Sequence, residues 1–219
     1  MKYYGQYEQD KYLDKLFKKK SNGVFVDIGA HDGVTFSNSL FFEKERNWKG
    51  ICVEPIPEIF AKLNEVRDCV KINGCISEKT GIENFLRVRG EFVDTEMLSG
   101  LVNNYDPRHL ERIDREINQY GGSKEEIEVT CYNINKILQE NQFNPIDFFT
   151  IDTEGNEMSI LKTIDFDAFD IDILLVENNY QTEEMNQFMT SKGYKRIKKI
   201  GHDEVYRKKD KLSFLQKII

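Results

Sequence analysis

The sequence predicts an α/β fold: a Rossmann-like, doubly wound and mostly parallel sheet of seven strands that ends in a C-terminal antiparallel hairpin. Three observations predict it. Short apolar runs alternate with amphipathic stretches, as they do where strands are crossed by helices. The pattern reads βαβαβ by residue 76, the half-unit of a doubly wound sheet. The 219 residues suit one domain, whose core needs no disulfide or metal to hold it.

The elements follow in order. A first helix is expected over Glu8–Lys19, where Tyr12, Leu13, Leu16 and Phe17 share a face, and Ser21-Asn22-Gly23 ends it. Val24–Ile28 is apolar enough for a strand buried on both faces. Thr35–Arg46 reads as a helix opened by small polar residues, and Gly50–Glu54 as a strand stopped by Pro55 and Pro57. Helix Glu58–Arg67 and strand Val70–Ile76 complete the half-unit. Residues 77–127 then interrupt the alternation. Ile82–Val88 reads as an added strand, and Arg89–Asn104 has no clear period. Pro107–Tyr120 aligns Leu110, Ile113, Ile117 and Tyr120 on one helix face. This segment is expected to be an inserted helical and β segment on the sheet's edge, a candidate substrate cap within one domain spanning 1–219. Alternation resumes with strand Ile127–Tyr132, helix Ile134–Gln142, strand Ile146–Ile151, helix Glu157–Thr163, strand Ile171–Val176 and helix Thr182–Lys192. Strands Tyr194–Ile200 and Glu204–Lys208 close the chain around a Gly201-His202-Asp203 turn.

Charge and composition exclude several classes. The 31 basic and 38 acidic residues leave a net charge of −7, a poor surface for nucleic acid. The charge is uneven. Lys192 to Lys217 holds ten basic and three acidic residues, +7, against −14 elsewhere, which leaves room for one anion-attracting edge. Cys52, Cys69, Cys75 and Cys131 occur singly, so reduced thiols are expected rather than a disulfide or a metal site. The start, MKYYGQYEQDKYL, has no apolar core of a signal segment, and no run has the length of a membrane span. A soluble cytoplasmic protein is expected, and a homo-oligomer is compatible with the text.

In an open α/β sheet, ligands sit at the carboxyl ends of the strands. The first strand ends in Asp27-Ile28-Gly29-Ala30-His31-Asp32-Gly33. A dinucleotide loop needs G-x-G-x-x-G, but here the three positions are Gly29, His31 and Val34. Asp27 and Asp32 would repel a pyrophosphate, and the loop has no lysine. A cationic or zwitterionic ligand fits better, and S-adenosylmethionine carries an ammonium, a sulfonium and a ribose without a phosphate. Glu54 ends the second strand, where an acid can accept both ribose hydroxyls.

The chain resembles the FkbM-type methyltransferases, a class I S-adenosylmethionine-dependent family that mostly O-methylates sugars and polyketides. The resemblance is carried by GQYEQDKYL, GVFVDIGAHDGVTFSNSLFFEK, WKGICVEPIPEIFAKL, INGCISEKTG, FNPIDFFTIDTEGNEMSILK and ILLVENN, most of the chain outside 89–126. It departs at Gly5-Gln6, where members often read Ser-Gln. The resemblance implies that Gly29, Ala30, His31 and Gly33 line the methionine part of the cofactor, with Asp27 serving its ammonium and Gln6 adding an amino-terminal contact. It further implies that Ser37 and Asn38, at the start of the next helix, hold the carboxylate. Pro55 and Ile56 would flank the adenine, with Cys75, Ile76 and Ser77 on its other side.

Methyl transfer to an alcohol needs an acceptor oxygen held in line and its proton removed. The fourth core strand ends at Asp152 and the fifth at Glu177-Asn178, while the final hairpin turns at the same edge and brings His202 and Asp203 over the site. Asp152, His202 and Glu177 are therefore the candidate catalytic groups, with Asp152 serving either as base or as an anchor for a cofactor group. His109 is the weaker histidine, expected at the surface. Asp152, Glu177 and Asn178 also form an all-oxygen set that suits Mg²⁺ holding a vicinal diol, as in catechol-type enzymes. The metal-free reading is favoured, and Glu154 and Glu157 are assigned to capping the next helix. The acceptor expected is a sugar or nucleotide-sugar, its diphosphate drawn by Lys195, Arg196, Lys198, Lys199, Arg207 and Lys208. Two other readings are a Mg²⁺-dependent methyltransferase of a non-sugar diol and a non-catalytic nucleotide- or nucleic-acid-binding module.

Overall fold

The structure, a computed structural model, describes residues 1–90, 93–105 and 107–212. Its large sheet contains β1 (Val24–Ile28), β2 (Lys49–Glu54), β3 (Val70–Asn73), β8 (Ile146–Ile151), β9 (Ile171–Glu177), β10 (Tyr194–Ile200) and β11 (Asp203–Lys208). The order is β10-β11-β9-β8-β1-β2-β3, with β11 antiparallel to both its neighbours. Strand order reverses between β1 and β8, so the ligand crevice of such a sheet opens there.

Alternation along each strand builds two cores. Phe25 and Phe148 point to one face, against Leu13 of α1 (Gln9–Leu16), Phe41 and Phe42 of α2 (Leu40–Arg46) and Leu63 of α3 (Pro57–Val66). Val26 and Phe149 point to the other. They pack with Ile137 of α6 (Ile134–Glu140), Ile160 of α7 (Glu157–Thr163) and Met185 of α8 (Glu183–Ser191).

The expected edge insertion is a sheet of its own, and its boundaries differ from those read in the sequence. The run 70–76 is two strands, not one. Gly74 has φ 156°, and a Cβ there would stand 2.3 Å from the Thr130 carbonyl oxygen, so the chain turns out of the large sheet after Asn73. β4 (Cys75–Ile76) then joins a four-stranded sheet, β4-β7-β5-β6, with β5 (Gly81–Gly90), β6 (Gly100–Leu101) and β7 (Gly122–Tyr132). The strand expected at Ile127–Tyr132 thus belongs to this second sheet, where β7 pairs with β5 over ten positions. A short helix, α4 (Val93–Glu96), and α5 (Pro107–Tyr120) complete the segment.

Two helix starts also differ. Pro57 opens α3 instead of ending β2, since a proline costs nothing at a first helical position. The helix expected from Thr35 begins only at Leu40. Asp32 accepts from Val34 N and Thr35 N at 2.9 and 2.7 Å, and Ser37 Oγ accepts from Leu40 N at 3.1 Å. These side chains draw the backbone into turns, so Ser37 and Asn38 precede the helix rather than begin it.

One buried cation holds this region. Arg67, 2% exposed, reaches Glu43 at 3.0 Å, the Gly33 carbonyl at 3.2 Å, and Ser39 Oγ at 2.9 Å. Ser39 Oγ in turn donates to Asp27. Removing the guanidinium leaves Asp27 and Glu43 without their cation. Arg67→Met should therefore lower unfolding free energy by roughly 3–5 kcal/mol, the usual cost of breaking a buried pair. Urea denaturation measures it, and a loss under 1 kcal/mol would refute the assignment.

Candidate active site

A cavity of about 510 Å³ opens at the carboxyl edge, where β1 and β8 part. Its floor is the loop after β1. Gly29 sits at φ 86°, and a Cβ on it would lie 1.8 Å from the Asp152 carbonyl oxygen, so no other residue fits between the two strand ends. Gly29 N and Ala30 N both donate to Val53 O at 3.0 Å.

Glu54, at the end of β2, ties two loops. It accepts from His31 N at 3.1 Å and from Ile56 N at 2.9 Å. A carboxylate has about four acceptor sites, so two remain for a ligand. Burial pushes its pKa up to about 7 against those hydrogen bonds.

Most of the expected cofactor residues come together here. Gln6, Asp27, Gly29, Ala30, His31, Ser37, Asn38, Glu54, Pro55, Ile56, Cys75, Ile76 and Asp152 all line the cavity. Gly33 and Ser77 do not. Gly33 packs on Arg67, leaving no room for a Cβ, and Ser77 Oγ donates to Glu83 at 2.7 Å. The His31 ring nitrogens and Asn38 Oδ1 are buried without a hydrogen-bond partner.

The other end of the cavity gathers Asp152, Glu154, Glu177, His202 and Asp203. Burial, then Asp203, Glu154, Glu157 and Asp27, drives the Asp152 pKa well above the usual carboxylate range. Burial and the neighbouring Asp152 do the same to Glu177. Asp203, buried but accepting from Gln9 Nε2 at 2.6 Å, rises to about 6. His202 is exposed at the mouth, its ring 6.4 Å from that of Tyr7.

Several expectations need correction. Glu157 accepts from Thr153 N and Gly155 N at the start of α7, but Glu154 caps nothing. It turns into the cavity, held by Arg112 Nη1 at 3.4 Å and Asn179 Nδ2 at 3.2 Å, and burial raises its pKa to about 7. Asn178 does not line the cavity, and its amide is bonded at both atoms: Oδ1 accepts from Thr182 N and Nδ2 donates to Thr182 O. His109 is fully buried rather than at the surface, bonded to Leu98 O at 3.0 Å and stacked on Tyr105 at 4.9 Å.

The basic carboxyl-terminal segment divides between the two edges of the sheet, with Lys198 and Lys199 at the carboxyl end of β10 near Asp203. Because β11 runs antiparallel, Arg207 and Lys208 lie at the opposite edge of the sheet, bonded to Asp172 and Asp170, with Lys195 facing Arg207. Arg196 binds Glu204 at 2.7 Å, while Lys198 and Lys199 are exposed on the edge strand. None of the six lines the cavity. Lys217 lies outside the described residues.

Sequence reading missed the wall supplied by the second sheet and its helices: Phe85, Met97, Ser99, Leu101 and Arg112. Arg112 is the single Lys or Arg lining the cavity among the described residues, against seven acids. Only the aligned face of the Pro107–Tyr120 helix gave a signal, and of that face Ile113 and Ile117 pack inward while Leu110 and Tyr120 are exposed.

Residues 27–196 match the methyltransferase FkbM domain, so the chain belongs to that family. It is a methyltransferase with a Rossmann-like sheet. No curated protein matches the chain significantly. Among the described residues, no helix is long and apolar enough to cross a membrane.

The acids of the cavity have a consequence for stability. Glu54 and Glu154 have folded pKa values near 7, above their ordinary 4.5, so the folded state binds more protons than the unfolded one between those values. Stability should fall as pH rises through that window. Thermal melts of the unliganded protein should show a lower Tm at pH 7.5 than at pH 5. A Tm that rises over this range would contradict the burial of these acids.

Proposed function

We propose that the protein is an S-adenosylmethionine-dependent O-methyltransferase acting on a hydroxyl of a small carbohydrate, such as a polysaccharide precursor. One observation carries the reading: a glycine-turned loop after β1, flanked by the free acceptor sites of Glu54, opens into an acid-lined cavity that continues to the ends of β8 and β9. The fit to the cofactor is chemical. Asn38 Oδ1 is a buried, unpaired acceptor lining the same cavity as Asp27 and suits an ammonium, while seven acids against one arginine suit a sulfonium and disfavour phosphates. Glu54 would accept the ribose hydroxyls. Ile56, Cys75 and Ile76 would enclose the adenine.

The cofactor supplies an electrophilic methyl group on a positively charged sulfur. This chain's own residues would hold the acceptor hydroxyl in line with that methyl group and take the hydroxyl's proton. Asp152, Glu177 and His202 stand at the end of the cavity where that acceptor would lie. His202 is the proposed base, with Asp152 and Glu177 orienting the hydroxyl. A nucleotide-diphosphate carrier is less favoured, because none of the six basic residues expected to attract it lines the cavity, although Lys198 and Lys199 lie at its edge of the sheet. A reducing, cytoplasmic setting suits the four free cysteines.

Glu54→Ala should weaken S-adenosylmethionine binding by roughly 1–3 kcal/mol, the loss expected for hydrogen bonds to a charged group. Calorimetry reads it, and affinity within twofold of the parent protein would remove Glu54 as ribose anchor. His202→Ala should lower kcat on the order of 10²-fold with cofactor affinity intact. Incubation with candidate sugars followed by mass spectrometry provides the assay. Near-normal turnover in that variant would assign the base to Asp152.

A further inference from the structure

We propose that Asp152, Glu154 and Glu177 form a divalent-cation site at the acceptor end of the cavity. The acids of this region divide into two groups. Asp27, Glu54, Glu154, Glu157 and Asp203 each accept a hydrogen bond from a hydroxyl, a backbone N–H or an amide, Glu154 through Oε2 alone. Asp152 has no such donor among the described residues. Glu177, 9% exposed, has Oε2 buried and without any partner while its side chain faces the cavity. A buried carboxylate oxygen left unpaired is costly, and evolution retains such a group where a ligand satisfies it.

The spacing identifies the ligand class. One oxygen from each of Asp152, Glu154 and Glu177 lies within 4.8 Å of the other two. Metal–oxygen bonds of about 2.1 Å for Mg²⁺ and 2.3–2.6 Å for Ca²⁺ put opposite ligands roughly 4–5 Å apart. The three oxygens therefore already fall within the diameter of a Ca²⁺ coordination sphere, and closing by about half an ångström would bring them into that of Mg²⁺. An all-oxygen set selects a hard cation, Mg²⁺, Mn²⁺ or Ca²⁺. The set differs from the one expected from sequence, with Glu154 replacing Asn178. Arg112, 3.4 Å from Glu154, is the monovalent partner that the cation would displace or share.

Three protein ligands leave positions open. With the methyl-transfer reading above, two of them would take the attacking hydroxyl and its neighbour on the acceptor, which selects vicinal diols and lowers the hydroxyl's pKa. The existence of the site does not depend on that reading.

The test is binding of Mn²⁺ to the protein without cofactor, followed by electron paramagnetic resonance of the free ion. One Mn²⁺ per chain is expected, displaced by Mg²⁺ or Ca²⁺. Glu177→Gln and Glu154→Gln should each weaken it about tenfold or more. The exposed Glu184→Gln, on α8, should leave it unchanged. Melting curves identify any variant that fails to fold, and the two ligand variants serve as independent checks. Absence of saturable binding would overturn the proposal, as would affinity unchanged from the parent protein in both ligand variants. Binding of S-adenosylmethionine measured in EDTA reports on the methyl-transfer reading separately, so failure of one is distinguishable from failure of the other.

Discussion

The cofactor half of the crevice depends on one buried guanidinium. Arg67 leaves the end of α3 and reaches back beneath the loop after β1, where it meets a carbonyl, two serine hydroxyls and a glutamate. It is the cation that allows Asp27 to sit buried at the strand end. It also explains Gly33, whose place against the arginine stem leaves no room for a side chain. The turns before α2 and the closing of the glycine loop follow from that contact. An arginine suits this task because its planar fork satisfies several acceptors at once.

The opposite half of the cavity is built on the reverse principle. Asp152, Glu154 and Glu177 are gathered with Arg112, the His109 ring and the Asn179 amide all turned to Glu154. Like charges buried together raise one another's pKa and make the empty pocket costly. A pocket of that kind discriminates by charge before shape. Cations and hydroxyl donors relieve the strain, and anions add to it.

Much of this was legible in the text. The five residues Val24–Ile28 and the acid at Glu54 place a crevice and a buried carboxyl group that lines it because strand ends and glycine turns leave local signatures. The seven-stranded sheet and its final hairpin were legible for the same reason. What escaped reading depended on contacts distant in sequence. Ser37 looked like a helix start because small polar residues commonly open helices, yet Asp32 and Ser37 hold turns there instead. Val70–Ile76 looked like one strand because its break is a single glycine, forced by Thr130 some 56 residues on. Arg112 and Glu154 meet across 42 residues, and no local pattern encodes such a pair. The basic tail misled because composition says nothing about which edge of the sheet a charge will occupy.

The β5–β7 ladder has a further bearing. Its ten backbone pairings hold the second sheet together through main-chain groups, which every amino acid but proline supplies. The residues that this sheet and its helices turn toward the cavity are therefore free to vary without dismantling the scaffold. The loop and acids that face the cofactor end have no such latitude, each being locked to a neighbour. Substitution on the second sheet's wall would accordingly change what the cavity admits without unmaking the sheet that carries it.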